Sequence, residues 1–248
     1  MLNGVPTCFP NGVTNAQPGS FGAGVPFPYP AQYYSWFSDF DNFNALTTGS
    51  ADWVLTGTNV AVANAQVSDA ENGVLSFATA AADADGIFAQ WHGGNATTDV
   101  AETFKFTAGK ELWCSARFAL SDVTDEAFLI GLAVVDTTPI DAVDGVFFRK
   151  ADLSTTLQLV STITGPTSVS ANLLTMVAAT FYEVGYHYNG IDTVRAFLRG
   201  SDGTWNSVGS VNVSALPTTE LAVTMALLNG SAGAKTASID YLFIAKER

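Results

Sequence analysis

ATFYEVGYHYNGIDTVRAFLRGSDGTWNSVGSV, residues 179–211, decides the fold class. Its three apolar segments are separated by Asn189-Gly190 and by Asp202-Gly203. Such pairs tolerate the positive φ of the tight turns that join antiparallel strands. In DTVRAFLRG, Thr193, Arg195, Phe197 and Arg199 fall on one face, and Val194, Ala196 and Leu198 on the other. That period of two is what a half-buried strand requires. The stretch predicts a three-strand antiparallel meander.

Working outward, the same texture runs from Trp36 to the end. Segments rich in β-branched and aromatic residues recur every eight to fifteen positions, punctuated by Gly, Asn and Asp. DWVLTG, NVAVAN, GVLSFATA, DGIFAQWH, AETFKFT, ELWCSARFAL, AFLIGLAVVDT, GVFFRKAD and TLQLVST precede the meander; ELAVTMALLNG and ASIDYLFIAK follow it. With the meander they make about fourteen strand candidates. In the last, Ile239, Tyr241, Phe243 and Ala245 share one face. The best helical stretch, SANLLTMVAAT at 170–180, reads equally as a loop entering a strand. Strands without alternating helices imply antiparallel sheets packed as a sandwich or jelly roll. The expected architecture is all-β: an antiparallel β-sandwich over residues 36–248, preceded by an extended arm over residues 1–35. A chain of 248 residues can bury such a core without metal or disulfide support.

The arm has its own chemistry. Residues 1–38 hold no charged side chain, but six of the nine prolines, five glycines and eight aromatics. Proline fixes φ and removes a donor, so VPFPYPAQYY reads as an extended, polyproline-like stretch. Ordinary disordered tails are charged and poor in aromatics. Phe9, Phe21, Phe27, Tyr29, Tyr33 and Tyr34 are therefore the candidate partner-binding residues. They pack either on their own domain or along a neighbouring subunit.

Charge excludes several partners. The net charge is −13, with 10 basic against 23 acidic residues, and the first basic residue is Lys105. Nucleic-acid binding needs lysines and arginines to displace phosphate counterions, so neither DNA nor RNA is expected. No run approaches the roughly 18 apolar residues of a membrane helix, and MLNGVPTCFPNG lacks the regions of a signal peptide. No membrane partner is expected. Cys8 and Cys114 read as free thiols of a reducing compartment, the alternative being a staple between arm and body. Without a secretory signal, the sequons at Asn95, Asn212 and Asn229 carry no weight.

No catalytic constellation is evident. His92 and His187 sit on predicted strands, and there is no G-x-S-x-G elbow, so both read as surface or cross-strand structural residues. Asp83 with Asp85, and Asp141 with Asp144, are the densest carboxylate pairs; Asp-Gly is first a turn signal, and neither pair matches a calcium loop. Neither cofactor nor metal is expected. Glycoside hydrolysis needs two carboxylates at a fixed separation; Glu111 lies at a strand edge, and adjacent Asp125 and Glu126 point to opposite faces of a strand. Trp53, Trp91, Trp113 and Trp205 are candidates for stacking on sugar rings, although burial is the commoner fate of tryptophan in so apolar a chain.

One resemblance emerges from the order of these motifs. Phe37, Asp39 and Phe40; Trp53, Val54 and Gly57; Gly73, Val74, Leu75 and Thr79; and Asp83 to Gly86 resemble the opening of concanavalin-A-like jelly-roll domains in bacteriophage structural proteins. LWCSARFALSDV and GLAVVDTTP…DGVFFRKAD are similar to the long strand and paired strands that follow. The proline-rich arm ahead of them resembles the start of phage capsid decoration or cement proteins. The resemblance implies a non-enzymatic virion protein assembled in the host cytoplasm and seated on the capsid exterior. Its partners would be the major capsid protein and neighbouring copies of itself, as a homo-oligomer with a trimer favoured over a dimer. The alternative is a carbohydrate-binding β-sandwich module on a virion, since one fold hosts many functions.

Overall fold

The structure is a computed structural model, and it describes residues 33–40, 52–58, 65–66, 73–91, 102–164, 167–212 and 216–248. Fifteen strands occur among them: β1 (Tyr33–Ser38), β2 (Trp53–Thr56), β3 (Ala65–Gln66), β4 (Leu75–Ala78), β5 (Gly86–Trp91), β6 (Leu112–Leu120), β7 (Glu126–Ala133), β8 (Gly145–Lys150), β9 (Thr156–Ile163), β10 (Thr167–Thr175), β11 (Tyr182–Tyr188), β12 (Thr193–Arg199), β13 (Trp205–Asn212), β14 (Ala222–Asn229) and β15 (Thr236–Glu247). One sheet has eight strands in the order β13-β12-β11-β6-β15-β4-β3, with β1 also paired to β15. The other has seven, in the order β10-β9-β8-β7-β14-β5-β2. Every pairing is antiparallel. The expected antiparallel sandwich is the observed fold.

The core lies between the sheets, where alternate residues of each strand meet. Phe118 of β6 packs on Phe128 of β7 with ring centroids 4.7 Å apart. The Tyr186 hydroxyl crosses from β11 to donate to the Val146 carbonyl at 3.0 Å. Burying one such ring contributes roughly 1.5–3 kcal/mol. Trp36, Trp53 and Trp91 pack edge to face at 5.3–5.9 Å and tie β1 of one sheet to β2 and β5 of the other. A second cluster covers the outer face of the seven-stranded sheet. There the loop after β7 lays Ile140 and Ala142 over Leu129, Phe147, Val160 and Ala226.

Several expectations change in detail. Tyr33–Ser38 forms β1 and pairs with β15. SANLLTMVAAT supplies the end of β10 and the loop beyond it, because the Thr167–Thr175 backbone pairs with β9. Among the described residues of AETFKFT, Phe104 pairs with Leu221 and Thr107 with Lys110 as isolated bridges. NVAVAN lies outside the described residues. Both meander hairpins form, but with longer loops than two-residue turns. The Asn189 side-chain oxygen accepts from the amides of Ile191, Asp192 and Thr193 at 2.9–3.0 Å, and so holds residues 189–192 as a loop. Gly190 meets the positive φ this requires, at +75°. In β15 a register shift between Ile239 and Tyr241 breaks the expected face: Ile239 joins the core, whereas Tyr241 and Phe243 turn outward.

Candidate functional site

The outer face of the eight-stranded sheet carries the chemistry. In β6, Leu112, Cys114, Ala116, Phe118 and Leu120 belong to the core, which leaves Trp113, Ser115 and Arg117 outward. The registers then set three rows across the face. The first runs Ser35, Ala245, Trp113, His187, Arg195; the second Phe37, Phe243, Ser115, Gly185, Phe197; the third Tyr241, Arg117, Glu183. Arg199 extends the third row, paired on its far side with Trp205.

The first two rows form an aromatic strip. Trp113 and Ala245 are buried there, with Tyr33, Phe197, Trp205 and Phe243 packed half-buried against them. His187 stacks on Trp113 at 5.2 Å, 13° from parallel, and its Nε2 lies 3.1 Å from Glu111 Oε2. Burial holds the His187 pKa below its usual value against the pull of Glu111. Phe37 stays 59% exposed at the end of this strip.

The third row is ionic and pre-formed. Arg199 Nη1 donates to both Glu183 oxygens, at 2.8 and 2.9 Å. Tyr241 donates to Glu183 Oε1 at 2.7 Å, and burial beside this carboxylate raises the phenol pKa. Arg117 pairs with Asp240 and lies over the Phe181 ring, 4.4 Å from its centroid. A shallow depression of about 580 Å³ opens here, lined by Arg117, Phe181, Glu183, Arg199 and the loop residues Gly200, Ser201 and Gly203. Phe181 is 39% exposed at its rim. The arrangement offers fixed donors and acceptors beside an apolar ring. Charged partners make the stronger hydrogen bonds, and fixing them beforehand lowers the entropy cost of binding.

The sequence-stated candidates distribute unevenly over this geometry. Phe9, Phe21, Phe27 and Tyr29 lie outside the described residues, as do His92 and Cys8. Tyr33 faces outward, edge-on to Trp113 at 6.1 Å; Tyr34 turns inward onto Phe104 at 5.2 Å. Trp53 and Trp113 are buried, Trp91 packs against the core, and Trp205 is half-buried at the outer strip. Cys114 is a buried free thiol, pushed up to about 12 by desolvation. Asp85 and Asp144 serve turns, accepting from the amides of Ala82 and Thr164 at 2.7 Å. Among the described residues no group of three His, Cys, Asp or Glu side chains is placed to hold a metal. Asn229 is buried and donates to three loop carbonyls, so its sequon is closed to modification in the folded chain. The alternation of DTVRAFLRG had placed Phe197 and Arg199 on one face. Sequence reasoning missed Arg117, Phe181 and Glu183, which only the pairing of β6 with β11 brings together.

One raised carboxyl lies elsewhere. Glu126 begins β7, faces between the sheets, and has no hydrogen-bond partner on either oxygen. Desolvation pushes its pKa up to about 8, against the pull of Lys150. Being wholly buried, it is closed to a substrate.

No family model and no curated protein matches this chain by sequence. Solved structures do match. A protein of unknown function from Shewanella oneidensis MR-1 is similar at 13% identity and a TM-score of 0.59, covering 90% of each chain. The seed lectin of Lotus tetragonolobus is similar at 12% identity and a TM-score of 0.58, over 87% of this chain and 99% of the lectin. Arcelin-5, a lectin-like defence protein from Phaseolus vulgaris, is similar at 12% identity and a TM-score of 0.55, over the same shares. Other similar structures include peanut lectin, at 13% identity and a TM-score of 0.52, and a glycosidic hydrolase, at 12% identity and a TM-score of 0.55.

Proposed function

Starting from a lectin-like, concanavalin-A-like jelly-roll β-sandwich, we propose that this domain binds carbohydrate without hydrolysing it. The glycan lies in the depression beside Arg117, Glu183 and Arg199, with Phe181 as its apolar wall. One observation carries the reading: an ionic row fixed by its own hydrogen bonds stands next to an exposed aromatic ring on a rigid sheet. Sugar hydroxyls need donors and acceptors in fixed directions, and sugar C–H faces pack on aromatic rings. Arg199 uses Nη1 on Glu183 and Nε on the Gly203 carbonyl, and its remaining donors are available to a ligand. The lectin-like neighbours support the reading at the level of fold.

A glycan array with the full chain tests it. Binding to a defined glycan class is expected, with at least a tenfold loss in Phe181→Ala and in Arg199→Ala at unchanged thermal stability. An array silent across neutral and acidic glycans, or variants that bind as the parent does, would overturn the proposal.

A second reading rests on the arm. Residues 1–38 are free of charge and rich in proline and aromatics, which suits docking on another protein. In that reading the chain is a virion protein on the capsid exterior, a trimer or dimer held to the major capsid protein by residues 1–32. Deleting those residues should leave a folded domain that no longer sediments with capsids. A truncated chain that still sediments would dispose of it.

A further inference from the structure

The chain has only ten basic residues against 23 acids, and three of the ten form ion pairs with carboxylates among the described residues. Arg117, Arg199 and Lys235 each pair with a carboxylate. Lys105, Lys246 and Arg248 take part in none of the ion pairs among the described residues. These three gather at one end of the sandwich, where β1 begins and β15 finishes. A depression of about 440 Å³ opens there, lined by Tyr34, Thr103, Lys246 and Arg248.

Its walls are set by the fold. Tyr34 is paired in register with Lys246, and its ring rests on buried Phe104. The Arg248 guanidinium lies 5.7 Å over the Tyr34 ring, and its Nε donates to the Tyr33 carbonyl at 3.3 Å. Thr103 Oγ1 is buried and has no hydrogen-bond partner. A buried hydroxyl without a partner costs free energy, and so does a cluster of like charges drawn partly out of water. The Lys246 ammonium registers this: its pKa is held down first by burial and then by Lys105 and Arg248, against the pull of Glu220.

We propose that this depression binds a compact oxyanion, a carboxylate, sulfate or phosphate group, borne on a small ring or free. Arg248 presents the planar donors that match such a group, Lys246 supplies a point charge, Thr103 donates its hydroxyl, and Tyr34 receives the apolar part of the ligand. The site lies between the sheets at one end, apart from the outer-face depression, and it stands whether or not that depression binds glycans.

Thermal unfolding of the full chain at constant ionic strength tests this. The probes are glucuronate, glucose 6-sulfate, inorganic phosphate and, as neutral control, glucose. At least one oxyanion should raise the melting temperature saturably, and glucose should not. A response to glucuronate or the sulfate ester alone assigns the site to an acidic sugar; an equal response to phosphate assigns it to the free anion. Lys246→Gln should weaken the response at least tenfold and Thr103→Val severalfold. The proposal fails if no oxyanion gives a saturable shift, or if Lys246→Gln responds as the parent does.

Discussion

The two ends of the sandwich treat buried charge in opposite ways. At the end where β6 gives way to β7, Lys150 donates to the carbonyls of Thr124 and Glu126, with the Glu126 carboxyl alongside. Lys235 meets Asp122 at 2.6 Å there, and Asn229 is satisfied by three carbonyls and Thr79. These polar groups are closed off, and all but the Glu126 carboxyl, which has no hydrogen-bond partner, are answered by hydrogen bonds from within. At the opposite end, Lys246 and Arg248 line an open depression and are answered by no carboxylate ion pair. Burial of charge is tolerated where partners are built in, and otherwise marks a place where a partner from outside fits. The first end serves stability; the second is arranged for a ligand.

The largest expected effect comes from Glu126. Its folded-state value of about 8 lies above the ordinary 4.5, so the folded chain holds a proton that the unfolded chain releases. Stability from this group is complete below pH 4.5 and falls as pH rises to 8, by up to about 5 kcal/mol. Urea unfolding from pH 4.5 to 9 should show that decline, and Glu126→Gln should flatten it. A decline of equal slope in the variant would mean that the closed end does not govern the pH response.

Next in size is the loss of Lys150. Lys150→Met leaves Glu126 buried without its counter-charge and frees two carbonyls. Removing one member of a buried pair typically costs about 3–5 kcal/mol. The loss should be full at pH 9, where Glu126 ionises, and smaller at pH 6, where it is protonated. Urea midpoints at the two values, with the denaturant slope unchanged, measure the difference.

Neither end was legible in the sequence in the way the strands were. Period-two alternation and Asn-Gly or Asp-Gly pairs are local, so the meander of β11, β12 and β13 could be read directly from residues 179–211. The row of Tyr241, Arg117 and Glu183 depends on which strands lie side by side, and β6 meets both β11 and β15 across more than fifty residues of chain. The Ile239–Tyr241 register shift is likewise a property of β15 against β6, and it parts Ile239 from the face it was expected to share with Tyr241, Phe243 and Ala245. Of the outer-face site only Arg199 was visible, on the face it shares with Phe197. Glu126 was visible only as one of two adjacent acids, with no sign that its strand would turn it inward. Tyr33 and Tyr34 were visible as aromatics; their division between an outer strip and the lining of a depression follows from the pleat of β1.

The smallest expected effect is the most discriminating between the two ends. Lys246→Gln removes a charge that takes part in none of the ion pairs among the described residues, and that burial, Lys105 and Arg248 disfavour against the pull of Glu220. Truncating a cation at the closed end is costly because a partner is left behind; at the open end the lost pull of Glu220 is offset by relief from burial and from the repulsion of Lys105 and Arg248. The unliganded variant should therefore match the parent within about 0.5 kcal/mol, the range of ordinary surface changes. Urea unfolding in a buffer free of sulfate, phosphate and carboxylates measures it, since a bound oxyanion would stabilise the parent alone. A loss above about 2 kcal/mol in that buffer would place Lys246 beside Lys150 as a structural cation, and the contrast between the two ends would disappear.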